Sequence, residues 1–153
     1  MKSIRDIDIS PGFFADGPWG AKLLKVEGEE IALDDIEHRI LRPIWKDPRT
    51  HYAVNCASLG CPNLAPHAYT AAFMEGLLDE GARAYVNHPR AAHVRDGLLE
   101  VSSIYKWFAS DFGGESGVLA HLGRYANREL ADELAAHKSV DAYRYDWTLN
   151  DAH

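Results

Sequence analysis

The chain has 153 residues, 46% hydrophobic and 25% charged, a balance typical of one globular domain rather than of a disordered chain. Its formal net charge of −7 argues against a nucleic-acid partner, because binding to phosphates relies on clustered Lys and Arg. No apolar run approaches ~18 residues, so we expect no membrane span, and the opening residues lack the apolar core of a signal peptide. A cytoplasmic protein is therefore expected, with export open only if the true start lies upstream.

Pro and Gly punctuate the start of the chain, and we predict a loop segment over residues 1–20 and a single globular domain over residues 21–150. A short β-hairpin is expected where Lys22–Val26 and Glu30–Ala32 flank a Glu-Gly pair. The hairpin is thus the first predicted element of the domain.

A helix is predicted after the hairpin, beginning at Asp34. Glu37, three residues later, completes an Asp-x-x-Glu capping box, in which each side chain bonds a free N–H of the first turn. Ile36 and Ile40 form an apolar stripe at the i, i+4 spacing of one helix face. Pro43 is expected to end the helix two residues earlier, because a proline disfavours helical backbone in the residue before it.

Strands and helices alternate over the rest of the chain. The β-branched and aromatic residues of His51–Val54 predict a strand, and the remaining elements follow from hydrophobic spacing. These are a helix from Thr70 to just before Asn87, a strand at Leu98–Val101, a helical turn at Ser103–Phe108, helices at Gly117–Tyr125 and Arg128–His137, and a strand at Ala142–Trp147. The alternation predicts an α+β (or α/β) fold with helices packed on a small mixed sheet.

The chain has two cysteines, Cys56 and Cys61, and both lie in the motif His-Tyr-Ala-Val-Asn-Cys-Ala-Ser-Leu-Gly-Cys-Pro. Cys56 directly follows the predicted strand, and loops at such positions often present reactive side chains. A nucleophilic thiolate needs a nearby cation to lower its pKa below ~8.5. The candidate cations are Arg49, His51, His38 and Arg42. Strand alternation points His51 and Cys56 to opposite faces, which favours His38 as the base.

Four interpretations of the motif are open. Cys56 could be a nucleophile assisted by a histidine. Cys56 and Cys61 could instead form a redox pair, although their spacing is not Cys-x-x-Cys. Together with His51 and His67 the cysteines could bind zinc, although this spacing is irregular. Both could also be small buried hydrophobic residues in a tight loop, the usual state of a free Cys.

We favour a thiol-dependent hydrolase or acyl/thiol transferase of papain- or transglutaminase-like logic, acting on a small-molecule or peptide substrate. In this hypothesis Cys56 is the nucleophile and His38 is the base. Glu37 or Asp146 would orient the histidine, and the Asn55 side chain or loop N–H groups would bind the oxyanion. The alternative is a non-catalytic binding or scaffold domain with a structural Cys loop.

The other predicted binding residues are Arg42, Arg49, His51, Cys61 and Trp107. No metal and no cofactor are expected. Asp111 could line a pocket with Trp107, but a helix-ending carboxylate beside an aromatic anchor is the simpler interpretation.

With this motif the chain resembles the family catalogued as domain of unknown function 547. The segments that carry the resemblance are residues 36–42 (Ile-Glu-His-Arg-Ile-Leu-Arg), 47–56 (Asp-Pro-Arg-Thr-His-Tyr-Ala-Val-Asn-Cys), 60–62 (Gly-Cys-Pro), 104–108, 111–112 and 145–150. They run in order along nearly the whole chain, and the Asn-Cys…Cys-Pro element is distinctive. No reaction is established for the family, so the resemblance adds no chemistry to these residues.

Family members usually begin with an aromatic- and Asn-rich helix upstream of the hairpin, and nothing before Ser10 matches it. The chain is therefore expected to be a shortened member or to start upstream of Met1. A missing helix would leave an exposed apolar surface beside the hairpin and the 34–42 helix. A second copy of the chain could cover that surface in a homodimer.

Overall fold

The structure is a computed structural model that describes residues 3–9 and 17–151. Within these residues the strands form two sheets, one of β1 (Leu24–Val26) and β2 (Glu29–Ile31), the other of β3 (Ala92–Arg95), β4 (Leu98–Ser102) and β5 (Ala142–Arg144). The α-helices are α1 (Arg42–Trp45), α2 (Met74–Val86), α3 (Ile104–Trp107), α4 (Gly114–Tyr125) and α5 (Arg128–Leu134). A π-helix, Asp35–Leu41, leads into α1, and 3-10 helices lie at Ile4–Asp6, Gly17–Gly20, Pro48–Tyr52 and Ala109–Phe112. The predicted α+β class is confirmed.

The hydrophobic core is built around the three-stranded sheet, α2 and α4. β4 is the central strand, antiparallel to β3 and parallel to β5, and its alternate residues Leu99 and Val101 are buried. α4 contributes Val118 and Leu122, which are spaced i, i+4 and fully buried. Alternate positions of a strand share one face, as do i, i+4 positions of a helix, so these two faces form the core. Each large apolar side chain removed from water stabilises the fold by ~1.5–3 kcal/mol.

β3 was not predicted from the sequence. Its residues, Ala-His-Val-Arg, include only two apolar side chains, so the alternation is weak. The turn that follows carries the stronger signal. Asp96 and Gly97 have φ angles of 53° and 75°, and an Asp-Gly pair is favoured in the two-residue turns that join antiparallel strands.

The N-terminal region, defined as residues 24–45, contributes little to the core. β1 and β2 pair antiparallel with Leu24 opposite Ile31, which confirms the predicted hairpin. No residue of these strands, the π-helix or α1 is buried. Six apolar side chains of this region are exposed, namely Leu24, Val26, Leu33, Ile40, Ile44 and Trp45. Their exposed fractions range from 38% for Ile40 to 64% for Ile44. Exposed apolar side chains therefore lie on both the hairpin and the helix.

The helix does not end before Pro43, as predicted, but continues through it to Trp45. In the preceding π-helix the N–H of Arg42 bonds the carbonyl of Glu37, five residues back. Pro43 then lies in the first turn of α1, directly after the π-helix, and it lacks the N–H that would donate back into the preceding turn. The proline therefore coincides with the change from π- to α-helix.

The predicted capping box is wrong as well. Asp34 has helical backbone angles and makes no capping hydrogen bond with its side chain. The helical backbone begins one residue earlier, at Leu33. At this N-terminal end of the helix the neighbouring Asp35 makes the side-chain contact instead, because its carboxylate accepts the N–H of Ala32 at 2.8 Å.

The predicted strand at His51–Val54 is wrong, because Pro48–Tyr52 forms a 3-10 helix. Asp47 caps this helix by accepting the N–H of Arg49 at 2.9 Å. A proline at the first position also favours a helix start. These local signals outweigh the β propensity of the following residues, so strand alternation does not set the direction of His51.

The later predicted elements are confirmed in type, with shifted ends. α2 begins at Met74 rather than at Thr70, whose carbonyl accepts the N–H of Met74 at 2.8 Å. α4 begins at Gly114, three residues before its predicted start, while α5 and β5 are shorter than predicted. Within the described residues, no helix combines the length and the apolar character needed to cross a bilayer.

Candidate functional site

A cavity of about 400 Å³ opens where the N-terminal region meets the core. Its walls are mostly apolar and aromatic, with the polar groups of the Cys motif on one side. Of the predicted site residues, those that line it are Glu37, His38, His51, Asn55, Cys56, Cys61 and Trp107. The other three, which do not line it, are Arg42, Arg49 and Asp146. The structure therefore brings most of the predicted site together.

The loop between the two cysteines is closed by Asn55. Its Oδ1 accepts the N–H of Ala57 at 2.7 Å, and its Nδ2 donates to the carbonyl of Pro62 at 2.7 Å. Ala57 has a φ of 62°, a strained value for a residue with a Cβ. The Asn55 amide therefore holds the loop in shape, and both of its ends have partners within the protein.

Backbone hydrogen bonds fix this loop against the C-terminal segment, defined as residues 145–150. The N–H of Leu59 donates to the carbonyl of Thr148 at 2.8 Å, and that of Gly60 donates to the carbonyl of Asp146 at 2.9 Å. A Cβ on Gly60 would lie 2.9 Å from Cε2 of Tyr145 and 3.0 Å from the Asp146 backbone. Glycine at this position lets the two segments approach closely and places Tyr145 beside the cysteines.

The sulfur of Cys56 is surrounded by hydrogen-bonding groups. Cys61 Sγ lies 2.9 Å away, Ser58 Oγ 3.1 Å and Tyr145 Oη 3.2 Å. Cys56 is half-buried on the cavity wall, whereas Cys61 is buried. Both are free thiols. Cys61 fits the interpretation of a small buried residue, but the polar surroundings of Cys56 do not.

These contacts stabilise the thiolate form of Cys56. The hydrogen bond from the Cys61 thiol lowers the pKa of Cys56 most, and the Ser58 and Tyr145 hydroxyls lower it further. Together they outweigh burial and bring the pKa of Cys56 to about 5. The pKa of Cys61 is raised by the hydrogen bond with Cys56 and by burial, so Cys61 stays a thiol and donates. The activating groups are therefore donors within the motif and from the C-terminal segment.

His51 is held by a carboxylate that the sequence did not assign to the site. Its Nε2 lies 2.9 Å from Oδ2 of Asp111, and its ring stacks on Phe108 with centroids 4.2 Å apart. The hydrogen bond from Arg42, followed by that from His51, holds the pKa of Asp111 at about 2. An ionised Asp111 can only accept, so Nε2 of His51 carries a proton and Nδ1 is the basic nitrogen of the neutral ring. Glu37 Oε1 lies 3.6 Å from this Nδ1.

His38, the predicted base, has a different environment. Its Nδ1 lies 3.1 Å from an Nη1 of Arg42, and a guanidinium can only donate. Nδ1 therefore accepts, and Nε2 carries the proton of the neutral ring. Glu37 Oε1, its predicted orienting group, is 3.9 Å from Nδ1, beyond hydrogen-bond distance. Among the residues the structure describes, no hydrogen bond joins Cys56 to His38 or to His51.

Arg42 and Asp111 form a clamp between the N-terminal region and the core. Nε and Nη2 of Arg42 donate to the two carboxylate oxygens of Asp111 at 2.5 and 3.0 Å. The same guanidinium lies 4.7 Å from the centroid of the Phe108 ring. Because the guanidinium and the carboxylate form two parallel hydrogen bonds, this contact has a fixed geometry. The clamp therefore positions both histidines of the cavity, since Arg42 contacts His38 and Asp111 contacts His51.

Asp146 and Arg49 have structural partners away from the cavity. The exposed Asp146 carboxylate accepts the N–H of Thr148 at 2.9 Å, and within the described part of the chain it contacts no histidine. Arg49 donates to its helix cap Asp47 and to two acidic residues of α2. It therefore ties the 3-10 helix to α2. Trp107 does line the cavity, with its ring centroid 4.9 Å from that of Tyr145.

The zinc interpretation is not supported by the fold. Among residues 3–9 and 17–151, no three His, Cys, Asp or Glu side chains are placed to hold a metal ion together. His67, one of the four proposed ligands, lies on the surface. The remaining interpretations of the motif are a nucleophile and a redox pair, together with the alternative of a structural loop.

Comparison with known proteins identifies one family. Residues 15–86 match the family described as "Protein of unknown function, DUF547", and the chain resembles that family over this range. The match includes the π-helix, the Cys motif and α2, and it ends before the Trp107 and Tyr145 segments of the cavity. Neither the curated proteins nor the solved structures that were compared with the chain gave a match.

Proposed function

We propose that the protein is a thiol-dependent hydrolase or acyl transferase in which Cys56 is the nucleophile. The observation that carries this proposal is the position of its sulfur, on the wall of a cavity and within hydrogen-bond distance of Cys61, Ser58 and Tyr145. A thiolate is the reactive form of cysteine, and it is rare at neutral pH unless its surroundings favour it. A half-buried thiol held in this form is more typical of chemistry than of packing.

The proposed reaction has two steps. The Cys56 thiolate attacks the carbonyl carbon of an ester or thioester, and the bond to the leaving group breaks as an acyl–sulfur bond forms. The leaving group departs with its electron pair and takes up a proton. Water, or an acceptor alcohol or amine, then attacks the acyl group, releasing the product and restoring the thiolate. Donors beside the sulfur would stabilise negative charge on the sulfur at the start and end of this cycle.

The two cavity histidines are suited to different roles. His51 presents Nδ1 as a base, because Asp111 holds the proton on Nε2, and this would activate the attacking water. His38 presents Nε2–H, because Nδ1 accepts from Arg42, and this N–H would donate a hydrogen bond to the leaving-group oxygen or sulfur, which takes its proton from water. We therefore propose His51 as the base in place of His38, the residue favoured by the strand assumption.

The thiolate is tested by alkylation with iodoacetamide across a range of pH. The rate constant for Cys56 should be nearly constant above pH ~6.5 and should fall as pH drops through about 5, because protonation removes the thiolate. Cys61 is the internal control and should react much more slowly, since it is buried and its pKa is raised. Mass spectrometry of the two labelled peptides separates the sites. Equal slow labelling, with an apparent pKa at or above the free-thiol value, would exclude the nucleophile.

The acyl step is tested with p-nitrophenyl acetate. Wild type should release a burst of nitrophenol and carry an acetyl group on Cys56, whereas Cys56→Ser should do neither. His51→Gln should slow the later turnover by ~10²–10⁴-fold, the usual contribution of a general base, with less effect on the burst. His38→Gln is the matched comparison, and it should slow the burst more than the turnover. A burst and turnover unchanged by either histidine variant would contradict the assigned roles.

One contact favours a second candidate function, thiol–disulfide exchange. The two sulfurs lie only 2.9 Å apart, so Cys61 could act as a resolving thiol. Cys56 would attack a disulfide substrate and form a mixed disulfide. Cys61 would then lose its proton and attack Cys56, releasing the second substrate thiol. Incubation with oxidised glutathione tests this: a Cys56–Cys61 disulfide supports exchange, and a stable glutathione adduct on Cys56 excludes Cys61 as the resolving thiol.

A non-catalytic binding or scaffold domain is the alternative. The backbone contacts that tie the Cys loop to the C-terminal segment favour it, because they give the motif a structural use. In that case Cys56→Ser should change thermal stability but no chemical property of the cavity. The iodoacetamide profile distinguishes the two, since a structural cysteine has no need of a lowered pKa.

A further inference from the structure

The cavity around Cys56 is lined mainly by apolar and aromatic side chains. Apart from the polar groups already described, its walls are apolar or aromatic side chains contributed by the N-terminal region, the Cys loop, α3 and the C-terminal segment. Its volume of about 400 Å³ is at the small end of the usual range for ligand sites. At ~30 Å³ for each water-sized group, it holds roughly thirteen non-hydrogen atoms.

Three of the four tryptophans of the chain face this space. Trp19, Trp107 and Trp147 line the cavity, and Trp45 does not. The rings of Trp107 and Trp147 have centroids 5.5 Å apart, and both contact the ring of Tyr145, at 4.9 and 4.7 Å. Since the Tyr145 hydroxyl contacts Cys56 Sγ, this aromatic wall begins at the reacting atom.

The charges on the cavity wall are negative. Asp34 and Glu37 line it, and no Lys or Arg does among the residues described. The thiolate of Cys56 adds a further negative charge. A carboxylate or phosphate on the buried part of a ligand would therefore lie near these carboxylates and would lose its hydration without meeting a Lys or Arg on the wall.

We infer that the site takes an uncharged apolar acyl group, an aliphatic or aromatic chain of about six to ten carbons, with its carbonyl carbon at Cys56. This inference rests on the proposed function for the position of the carbonyl, and on the cavity wall for the chain. The chain packs on Trp107 and Trp147, and the carbonyl end reaches the sulfur past Tyr145. An apolar chain gains affinity with each methylene that it buries.

Unreactive ligands test the inference apart from the chemistry. Butanamide, hexanamide and the hexanoate anion are titrated by calorimetry into the Cys56→Ala protein, which cannot react with them. Hexanamide should bind roughly tenfold more tightly than butanamide, because two more methylenes are buried. Hexanoate should bind at least about tenfold more weakly than hexanamide, because it adds a charge beside two carboxylates.

Two tryptophan variants provide a matched pair. Trp107 and Trp45 are about equally exposed, at 47% and 52%, but only Trp107 lines the cavity. In the Cys56→Ala background, Trp107→Ala should weaken hexanamide binding about tenfold or more, and Trp45→Ala should leave it unchanged. Three results would each overturn the inference. Hexanoate could bind as tightly as hexanamide, the affinity could fail to rise from butanamide to hexanamide, or the two tryptophan variants could weaken hexanamide binding equally.

The two proposals fail separately. If Cys56 alkylates rapidly but the amides show no preference for length or charge, the nucleophile stands and the acyl specificity is wrong. If the amides bind as expected but Cys56 has an ordinary pKa, the cavity binds apolar chains and the thiol chemistry is wrong.

Discussion

The N-terminal region and the core differ in how they are held. In the core, side chains such as Leu99, Tyr105 and Leu122 are fully buried, and α2, α4 and the three-stranded sheet surround them. In residues 24–45, Ala32 alone is buried, and the longest apolar side chains stay exposed. Hydrophobic burial therefore stabilises the core, while the N-terminal region depends on a few specific polar contacts.

The cavity lies where these two regions meet, so the difference in burial also separates its two walls. One wall comes from the weakly buried π-helix, with Glu37 and His38, and the other from the core side, with Trp107 and Tyr145. The Arg42–Asp111 clamp connects the two walls. A region with little buried apolar surface opens at lower free energy than a core does. The wall formed by the π-helix is thus the one expected to move when a ligand enters.

The largest effect is expected from a cavity in the core. Leu122→Ala should lower the free energy of unfolding by ~2–5 kcal/mol, because a fully buried leucine is lost from a packed interior. Ile44→Ala, its control in the N-terminal region, should cost less than ~0.5 kcal/mol, since Ile44 is 64% exposed. Urea denaturation measures both. A comparable loss in the two variants would mean that the N-terminal region buries more surface than its exposure indicates.

The next effect concerns the wall that the core provides. Tyr145→Phe removes a hydroxyl donor from Cys56 and should raise the pKa of that thiol by ~1–2 units, the worth of one hydrogen bond to a charged group. The iodoacetamide profile should shift to higher pH by that amount. Tyr143→Phe is the matched control, because Tyr143 lies on β5 and does not line the cavity. An unshifted profile in Tyr145→Phe would leave Cys61 and Ser58 as the groups that stabilise the thiolate.

A smaller effect is expected from the clamp. Arg42→Lys keeps the charge but loses the two-pronged contact with Asp111, and should destabilise by ~1 kcal/mol because the pair is partly exposed to solvent. Hydrogen exchange should become faster in Asp35–Trp45 and stay unchanged in α4. Arg39→Lys, which alters an exposed pair within the same helix, should change neither. Faster exchange throughout the protein would show that the two regions unfold together.

The smallest effect concerns the exposed apolar surface of residues 24–45. If a second copy of the chain covers it, light scattering should show a dimer at high concentration, and Ile44→Glu should return it to a monomer without loss of stability. A monomer at every concentration would mean that this surface needs no second copy. The thiol reactivity of Cys56 should be the same in both forms, since Ile44 does not line the cavity.

Local sequence signals determined a large part of this protein. Spacing and turn residues sufficed for the hairpin, for α4 and α5, and for the α+β class. The density of the Cys motif predicted the candidate site, because both cysteines, a histidine and an amide lie within a dozen residues. Such features depend on neighbours in the chain, so a sequence contains them directly.

The tertiary structure alone decided which groups meet at the candidate site. Asp111 meets His51 across 60 positions, and the Tyr145 hydroxyl meets Cys56 across 89. No spacing rule relates residues so far apart, because their approach depends on how the core packs and how the C-terminal segment returns to the Cys loop. The preference for His38 over His51 as the base followed from a predicted strand, which Asp47 and its neighbouring proline turn into a 3-10 helix. The sequence therefore determined where the candidate polar groups lie along the chain, and packing determined which of them meet, because hydrogen bonds act only between atoms that the fold brings together.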